Sequence, residues 1–414
     1  MSNPVLVIGA GVAGMTAAIE LADSGVKTVL VEELSTTGGN ALDLYKAFPT
    51  DDCFYCFEGN RWRPGIRKCF YRSALIDQPN IDLKMNSRVE EISGNPGNFG
   101  IVLAIGPQYI DPMKCTLCGL CLEKSKSFSL VSVQCQPQAV IYNPDSRDEG
   151  TQIAAKECPT QAINLDAQAS KETITVSDII IATGFHEMKP SAIDEYGYGT
   201  HPNIITQLEL AKLLDPNGPS GGVLLRPSDG DPARRVMMIQ CVGSRDENYY
   251  PYCSKICCIF ALKHANILTR ERENVGVSVV YMDIRTYDRY ERYYRETRES
   301  GVEYIRGRVS RVTPQEDGSL SIVVYDSLLN TYLRFSADLF VLSSALEPSA
   351  GSGHIIETLR LKSASGFIGP LSADDPVVVG NHVFACGTAL GPAEVPESVT
   401  QARAVVSKIL QSRK

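Results

Sequence analysis

The first thirty residues alternate between short apolar runs and a segment of helical periodicity. Residues 5–8 and 28–31 are runs of four apolar or β-branched residues, and residues 13–24 between them place apolar side chains at helical spacing. Such runs are typical of buried strands, and Gly25 suits the position just after a helix. The pattern therefore predicts that the chain opens with a βαβ unit.

Further strand and helix patterns follow along the chain. A strand pair is predicted between about Ile81 and Ile105, with its turn at residues 95–98. Other strands are predicted at residues 173–176, 178–184, 235–239, 277–282, 337–342 and 383–387. Helices are predicted at residues 257–267, 287–300 and 398–411. Together with the opening βαβ unit, these elements indicate an α/β protein.

Length, charge and cysteine content narrow the class of protein. The 414 residues suffice for two or three domains, and the net charge of −8 argues against a nucleic-acid-binding surface. No apolar run approaches the length of a membrane span, and the N-terminus runs straight into a strand without signal-peptide features, so we expect an intracellular protein. The 13 cysteines are many for a reducing compartment, where clustered cysteines are more often metal ligands or redox groups than disulfides.

Three glycines between the first strand and the first helix have the spacing of a dinucleotide-binding loop. Gly9 permits the tight turn, Gly11 lets the backbone approach a pyrophosphate, and Gly14 lets the helix pack on the strand. Glu32 ends the second strand, where a carboxylate can bind ribose hydroxyls. This context favours a dinucleotide site over a plain glycine-rich turn.

Three further motifs resemble the FAD domain of flavoproteins such as thioredoxin reductase. They are Gly38-Gly39, the strand end at residues 181–184, and residues 383–387, after which Thr388 stands where that class usually has Asp. The resemblance implies FAD as the dinucleotide, with the Gly387 backbone available in place of the missing carboxylate. The candidate FAD contacts are Gly9, Gly11, Ala13, Gly14, Glu32, Glu33, Gly38, Gly39, Asn40, Ala182, Thr183, Gly184, Gly387 and Thr388.

The first cysteine set has the spacing of a ferredoxin loop. Cys115, Cys118 and Cys121 are separated by two residues each, and Cys158 precedes a proline, as in the second half of a ferredoxin. These four thiols predict one [4Fe–4S] cluster, and zinc is the rival. Ser125 occupies the place of the ferredoxin cysteine that would serve a second cubane. Cys135 is left over, as a remnant or a packed thiol.

The second cysteine set lies where a pyridine-nucleotide domain would have its own glycine loop. Cys241 follows the strand at 235–239, and Cys253, Cys257 and Cys258 come within the next seventeen residues. Four thiols in so short a span favour a second [4Fe–4S] cluster over buried structural thiols. The glycine loop that would hold NAD(P) is missing, which makes this domain a degenerate NAD(P)-like one.

Lys263 follows five residues after Cys258, among apolar neighbours. A lysine in an apolar segment is either a solvated side chain at the helix edge or a functional cation. The functional alternative places its ammonium group near a flavin, where it would stabilise the reduced anionic form.

The residues around these motifs resemble the heterodisulfide reductase A-subunit (HdrA) family. The matching stretches include residues 48–53, 97–99, 109–115, 241–246, 252–258, 283–287 and 391–396. Members from methanogens are longer and end in an added ferredoxin domain. The short form with half of an inserted ferredoxin is similar to the A subunit of the quinone-interacting membrane-bound oxidoreductase complex of sulfate reducers.

This resemblance implies two cofactor types, FAD and [4Fe–4S] clusters, and an electron-transfer role between the menaquinone pool and adenylylsulfate reductase. It implies, as partners, a second flavoprotein of the same type and a haem-containing membrane subunit. The chain is then expected in the cytoplasm, attached to the inner face of the membrane through those partners. The tyrosine-rich segment at 287–294 is a candidate docking surface or, equally, a solvated helix.

Two other functions stay open at the level of sequence. Cys53 and Cys56 have the spacing of a redox dithiol, so an NAD(P)H- or thiol-dependent disulfide reductase is one alternative, with Cys53 as a candidate catalytic residue. A second is an FAD-bound scaffold whose clusters are structural only. Cys69 is expected to pack.

The predicted fold class is α/β: a two-dinucleotide-binding-domain flavoprotein of Rossmann type, similar to thioredoxin reductase, with a small inserted half-ferredoxin domain. The FAD-binding domain is predicted in three pieces, at residues 1–103, 167–199 and 351–414. The inserted domain is predicted at 104–166, and the degenerate NAD(P)-like domain at 200–350.

Overall fold

The computed structural model describes residues 3–50, 75, 78–111, 114–130, 140–216, 218–287 and 289–413. Its strands are β1 (Val5–Ile8), β2 (Thr28–Val31), β3 (Ile81–Lys84), β4 (Ser87–Asn95), β5 (Asn98–Ile105), β6 (Phe128–Leu130), β7 (Val140–Tyr142), β8 (Ser170–Val176), β9 (Asp178–Ile181), β10 (Phe185–Glu187), β11 (Ile204–Thr206), β12 (Arg235–Val242), β13 (Gly276–Tyr281), β14 (Glu303–Pro314), β15 (Leu320–Asp326), β16 (Thr331–Ala337), β17 (Leu339–Ser344), β18 (Leu346–Pro348), β19 (Ser363–Ala364), β20 (Phe367–Ile368), β21 (Val378–Gly380) and β22 (Val383–Ala385).

Its α-helices are α1 (Val12–Asp23), α2 (Leu120–Lys124), α3 (Glu149–Glu157), α4 (Gln207–Leu214), α5 (Cys257–Glu271), α6 (Tyr290–Glu299), α7 (Ala350–Leu359) and α8 (Val395–Ser412). Within the described ranges, no helix combines the length and the apolar character needed to cross a membrane.

The first domain is built on a six-stranded sheet in the order β21-β22-β9-β1-β2-β3. Its strands are parallel apart from β21, and β1, β2 and β9 are buried along their whole length, which is why they are apolar runs rather than alternating ones. Helices α1 and α8 pack together on one face, where Leu21 and Ile409 join the same core. The antiparallel sheet β4-β5-β8 covers the other face through Ile101 and Leu103.

A small subdomain is inserted into the β4-β5-β8 sheet. Strands β5 and β8 pair antiparallel with Ile105 opposite Ser170, so everything between them leaves the sheet and returns to the same place. This excursion contains α2, α3 and the β6-β7 pair, around a separate core of Phe128, Val140 and Ala154. The sequence boundaries of 104–166 lie within a few residues of these two strand ends.

The second domain is built on a seven-stranded sheet in the order β11-β17-β12-β13-β14-β15-β16. The first five strands are parallel and the last two antiparallel. Helices α4 and α5 pack on one face, where Leu210 and Leu268 share a core with Met238 and Val341. The short antiparallel pair β10-β18 forms where the chain passes between the two domains and back.

The strand predicted at 337–342 is divided in the structure between β16 and β17, with Asp338 at the break. The Asp338 carboxylate accepts the backbone N–H groups of Arg234 and Arg235 at 2.9 and 2.8 Å. Strand β16 pairs with β15, whereas β17 pairs with β11 and β12, so the break at Asp338 is where the chain changes its partner strands.

The tyrosine-rich helix α6 turns its tyrosines mostly toward the protein. Tyr293 is buried and accepts a hydrogen bond from Asn266 at 2.7 Å, while Tyr294 packs edge-on against Tyr304. The exposed side of the helix carries charged residues such as Arg292 and Arg295 instead. Tyr293 and Tyr294 therefore serve packing, whereas Tyr287, just before the helix, is exposed, and the docking surface at 287–294 stays a prediction.

Candidate functional site

A cavity of about 610 Å³ opens beside the carboxyl ends of β1, β2 and β9. Of the fourteen candidate FAD contacts, thirteen line it: Gly9, Gly11, Ala13, Glu32, Glu33, Gly38, Gly39, Asn40, Ala182, Thr183, Gly184, Gly387 and Thr388. Gly14, the remaining one, lies behind the loop. Ligands in open α/β sheets bind at this edge of the strands.

The glycine loop has distinct steric reasons for its glycines. Gly9 has φ +100°, and a Cβ there would lie 2.3 Å from the Ala182 carbonyl oxygen. A Cβ on Gly14 would lie 1.8 Å from the Gly9 carbonyl oxygen, so Gly14 is what lets α1 approach the loop. A Cβ on Gly11 would meet nothing within 4 Å, which leaves its backbone open toward the cavity.

The amino end of α1 suits a phosphate group. Gly11 is its N-cap residue and provides no side-chain cap, and the first turn carries no acidic residue. Unsatisfied N–H groups and the helix dipole favour an anion at such an end. The cavity size, the open loop and this helix end together fit a dinucleotide.

Glu32 is buried and links two loops at the edge of the cavity. One carboxylate oxygen accepts the Ala10 N–H at 2.7 Å, and the other accepts the Leu34 N–H at 2.9 Å. Burial raises the pKa of this carboxyl group, although both hydrogen bonds oppose the shift. Each oxygen keeps a further lone pair, so the group can still accept a ribose hydroxyl.

The opposite wall departs from expectation at Gly387. Its N–H donates to the Gln401 side chain at 2.8 Å, so in this structure that N–H is held by α8 rather than directed to the cavity. A Cβ on Gly387 would lie 2.8 Å from the Ala13 Cβ, which identifies close packing against α1 as the reason for this glycine.

Helix α5 forms one side of the cavity. Ile256, just before the helix, together with Ile259, Phe260 and Lys263, lines it. The Lys263 side chain is 2% exposed, and its ammonium group donates to the carbonyl oxygens of Tyr45 and Lys46 at 2.8 and 3.1 Å. Lys263 is therefore a buried cation at the cavity wall, not a solvated lysine.

The first cysteine set converges on one small cavity in the inserted subdomain, lined by Cys115, Cys118, Cys121 and Cys158. Cys158 Sγ accepts the Ala162 N–H at 3.4 Å. Burial alone would raise the pKa of Cys158, but the hydrogen bond from Ala162 and others from neighbouring groups outweigh burial and lower the pKa. Backbone N–H groups directed at a thiolate are typical of iron–sulfur sites.

Ser125 occupies a hydroxyl cluster at the position where a ferredoxin would have a further cysteine ligand. It is 4% exposed, and its Oγ lies 2.7 Å from Ser127 Oγ and 3.1 Å from Thr151 Oγ1. Hydrogen bonding among hydroxyls therefore replaces metal ligation at this position.

The second cysteine set lies at the start of α5. The Cys241 and Cys258 thiols lie beside the buried Cys257 thiol, and both neighbours raise the pKa of Cys257. The neighbouring Cys257, with help from Arg245, lowers the pKa of Cys241 to about 7. Cys253 lies on the loop that leads into the helix, where its Sγ accepts the Lys255 N–H at 3.4 Å.

Two buried serines hold this loop together. Ser244 Oγ donates to the Tyr252 carbonyl oxygen at 2.9 Å and accepts the Ser254 N–H at 3.1 Å. Ser254 Oγ in turn accepts the Leu346 N–H at 3.0 Å. The loop from Cys241 to the helix is thereby fixed to β18 independently of its thiols.

No three His, Cys, Asp or Glu side chains in the described ranges converge closely enough to hold a single metal ion. Cys53, Cys56, Cys69 and Cys135, for which the sequence leaves redox and packing roles open, lie outside the described residues.

Several cavity residues are not among the predicted FAD contacts. Arg88 comes from β4, His354 from α7, Tyr290 from α6 and Glu394 from the residue before α8. Cys386 also lines the cavity, and burial raises its pKa to about 12. Only the tertiary structure brings these residues together.

Comparison with solved structures identifies the fold. Thioredoxin reductase from Lactococcus lactis superimposes with a TM-score of 0.54 at 14% identity, covering 99% of this chain and 98% of that one. Thioredoxin reductase from T. acidophilum gives 0.53 at 12% identity, covering 99% of both chains. The predicted two-domain flavoprotein fold is thereby confirmed.

Comparison of sequences identifies the relatives. The FAD dependent oxidoreductase family model matches residues 4–74. The A subunit of the H(2):CoB-CoM heterodisulfide,ferredoxin reductase of Methanothermobacter marburgensis is 34% identical over 99% of this chain. The iron-sulfur A subunit of the CoB--CoM heterodisulfide reductase of Methanocaldococcus jannaschii is 36% identical over 98% of it. This chain spans 63% of the length of each relative. Over the part of these proteins that it spans, the chain belongs to the heterodisulfide reductase A-subunit (HdrA) family.

Proposed function

We propose that this chain is an oxidoreductase subunit that transfers electrons between iron–sulfur clusters and a bound FAD. One observation carries the proposal: helix α5 begins with Cys257 and Cys258 and then forms the cavity wall with Ile259, Phe260 and Lys263. With a rise of about 1.5 Å per residue, Cys257 and Lys263 are about 9 Å apart along the helix axis. A cluster on these thiols would lie beside the ligand of the cavity.

The residues of the cavity would divide the binding of FAD among them. The α1 end at Gly11 would hold the pyrophosphate, and Glu32 would hold a ribose hydroxyl. The part of the cavity near Asn40 and Lys263 is then left for the isoalloxazine ring. When bound, a flavin supplies the means to exchange electron pairs with single-electron carriers.

Two [4Fe–4S] clusters are proposed, one on each thiol set. Cys115, Cys118, Cys121 and Cys158 would hold the first, and Cys241, Cys253, Cys257 and Cys258 the second. The name of the Methanocaldococcus jannaschii relative, an iron-sulfur subunit, supports this kind of cofactor. The hydrogen bonds to Cys158 and Cys253 support it as well, because such bonds stabilise ligating thiolates.

A finer proposal follows from the resemblance to the quinone-interacting complex of sulfate reducers. In it the chain works in the cytoplasm at the inner face of the membrane, between the menaquinone pool and adenylylsulfate reductase. A second flavoprotein of the same type, together with a haem-containing membrane subunit, would attach it there. The names of the relatives support membership of a reductase complex but mention neither a quinone nor adenylylsulfate.

Purification from native membranes tests both levels of this proposal. We expect one flavin and about eight irons per chain, since each cubane has four. We also expect co-purifying subunits and flavin reduction by a menaquinol analogue, with none by NADH. Rapid bleaching by NADH would favour the disulfide reductase alternative. A stable lone chain with full quinol-linked activity would overturn the finer proposal but leave the cofactors in place.

Lys263 is proposed to set the potential of the flavin. Reduction adds negative charge to the flavin ring, and a nearby buried cation stabilises that charge. Lys263→Met keeps the length of the side chain and removes the charge, so the FAD midpoint potential should fall by some tens of millivolts, at ~30 mV per ~1.4 kcal/mol. Redox titration measures it, with Lys263→Arg as the charge-conserving control. An unchanged potential with normal FAD content would show that Lys263 has only a structural role, through its hydrogen bonds to Tyr45 and Lys46.

A further inference from the structure

A second cleft, of about 730 Å³, adjoins the FAD cavity where the chain crosses between the two domains. Asn40 and His186 line both spaces, so the two are neighbours rather than separate sites. The Asn40 side chain donates to the Phe185 carbonyl oxygen at 2.7 Å, which fixes it to β10. The cleft therefore connects the flavin site to the outside of the molecule along β10.

Glu187, the last residue of β10, lies in the wall of this cleft. Its two carboxylate oxygens accept hydrogen bonds from Thr206 Oγ1 at 2.6 Å and from the Leu208 N–H at 3.4 Å. Both donors belong to the start of α4, so the carboxylate is held in one orientation between the domains. Burial raises the pKa of Glu187 to about 7, although these bonds oppose the shift.

The charged groups around Glu187 come from α4, from the β10 side and from β18. Glu209, on α4, raises its pKa, and Lys212, on the same helix, lowers it. The cleft also contains His186 and Lys189 on the β10 side and Glu347 on β18. Two phenol groups of the cleft donate to carboxylates, Tyr198 to Glu209 at 2.9 Å and Tyr250 to Glu347 at 2.8 Å, and Tyr249 donates to the Ala192 carbonyl oxygen at 3.0 Å.

The proposed function creates a need for such a group. Iron–sulfur clusters deliver electrons one at a time and without protons, unlike a nicotinamide, which delivers a hydride. Two electrons from clusters convert oxidised flavin to its anionic reduced form only with one added proton, and to the neutral reduced form with two. These protons have to come from solvent through the protein, and they return there on reoxidation.

We propose that the Glu187 cleft is the proton route of the flavin site, with Glu187 exchanging protons between solvent and the part of the cleft that adjoins the FAD cavity. This inference rests on the proposed electron-transfer function, because electrons that arrive from iron–sulfur clusters bring no protons to the flavin. A carboxyl group that is partly protonated near neutral pH can both give and take a proton there.

The test uses the complete chain with its cofactors, reduced by methyl viologen radical, which carries electrons alone. Flavin bleaching should slow as the pH rises through about 7, with proton uptake seen by a pH indicator. Glu187→Gln should slow bleaching at least about tenfold and remove this pH dependence, while cluster reduction stays as fast. Formate should restore part of the rate in Glu187→Ala. The matched control is Glu347→Gln, which removes a carboxylate from the same cleft. This variant should keep the rate of flavin bleaching within about twofold of wild type and leave its pH dependence unchanged.

A second measurement is independent of turnover. In chain freed of FAD, infrared titration should show a carboxyl band that ionises near pH 7 and is missing from Glu187→Gln. Unchanged bleaching in Glu187→Gln, or equal slowing in Glu347→Gln, would overturn the proposal. A wild-type chain whose reduced clusters never reduce the flavin would overturn the proposed function instead, and the infrared band would still be measurable.

Discussion

Cys118→Ala and Cys257→Ala should each remove a different electron paramagnetic resonance signal and about four irons per chain. Cys118 belongs to the thiols around the cavity of the inserted subdomain, and Cys257 to those at the start of α5. Because the first set packs against the core of the inserted subdomain and the second lies at the start of α5 in another domain, loss of one cluster should leave the other intact. Potentiometric titration with resonance detection and iron analysis measure both.

The two variants should also differ in their effect on the flavin. Cys257 is the first residue of the helix that lines the FAD cavity, so its loss should slow electron exchange with the flavin. Ser125→Ala is the control for the first set, since Ser125 lies among hydroxyl groups and should not be a ligand. If both cysteine variants lost the same signal, the division of ligands between two clusters would be wrong. Signals that persist in both would make these thiols structural.

The sequence predicted those parts of the site that depend on local spacing. The glycine loop requires residues without side chains at fixed positions, and Gly9 and Gly14 have atoms within 2.3 and 1.8 Å of where a Cβ would be. The first thiol set was visible for the same reason, because a loop with two-residue gaps can direct three thiols at one point. Lys263 was found from its apolar neighbours, and it is buried at the cavity wall.

The rest of the site depends on contacts between distant segments, which spacing does not encode. His354 and Tyr290 reach the cavity from helices more than 250 residues away from the glycine loop. The sequence left the Gly387 N–H free to face the cavity, but Gln401 on α8 accepts it. The sequence did not point to Glu187, because the groups that hydrogen-bond its carboxylate lie at the start of α4, which packs against β10 only in the folded chain.

Gly14→Ala should destabilise the fold, whereas Gly11→Ala should weaken FAD binding. The new Cβ of Gly14→Ala would lie 1.8 Å from the Gly9 carbonyl oxygen, a backbone atom that cannot move without shifting the loop. We expect a loss of about 3 kcal/mol or more in unfolding free energy, the upper part of the range for overpacking. The midpoint temperature of thermal unfolding should then fall by about 6–12 °C, at about 2–4 °C per kcal/mol.

Gly11→Ala should leave stability nearly unchanged but weaken FAD binding. Its Cβ meets no protein atom within 4 Å, and its φ of −77° suits any residue. The methyl group points instead toward the cavity, where the pyrophosphate would lie, and crowding of about 1–3 kcal/mol corresponds to about a 5- to 150-fold higher Kd. Stability has to be compared in FAD-free protein, because bound ligand itself stabilises the folded state. FAD titration by fluorescence measures the change in Kd. If Gly11→Ala bound FAD as tightly as wild type, the pyrophosphate could not lie at this loop. The placement of the pyrophosphate and the isoalloxazine ring at their two ends of the cavity would then be wrong.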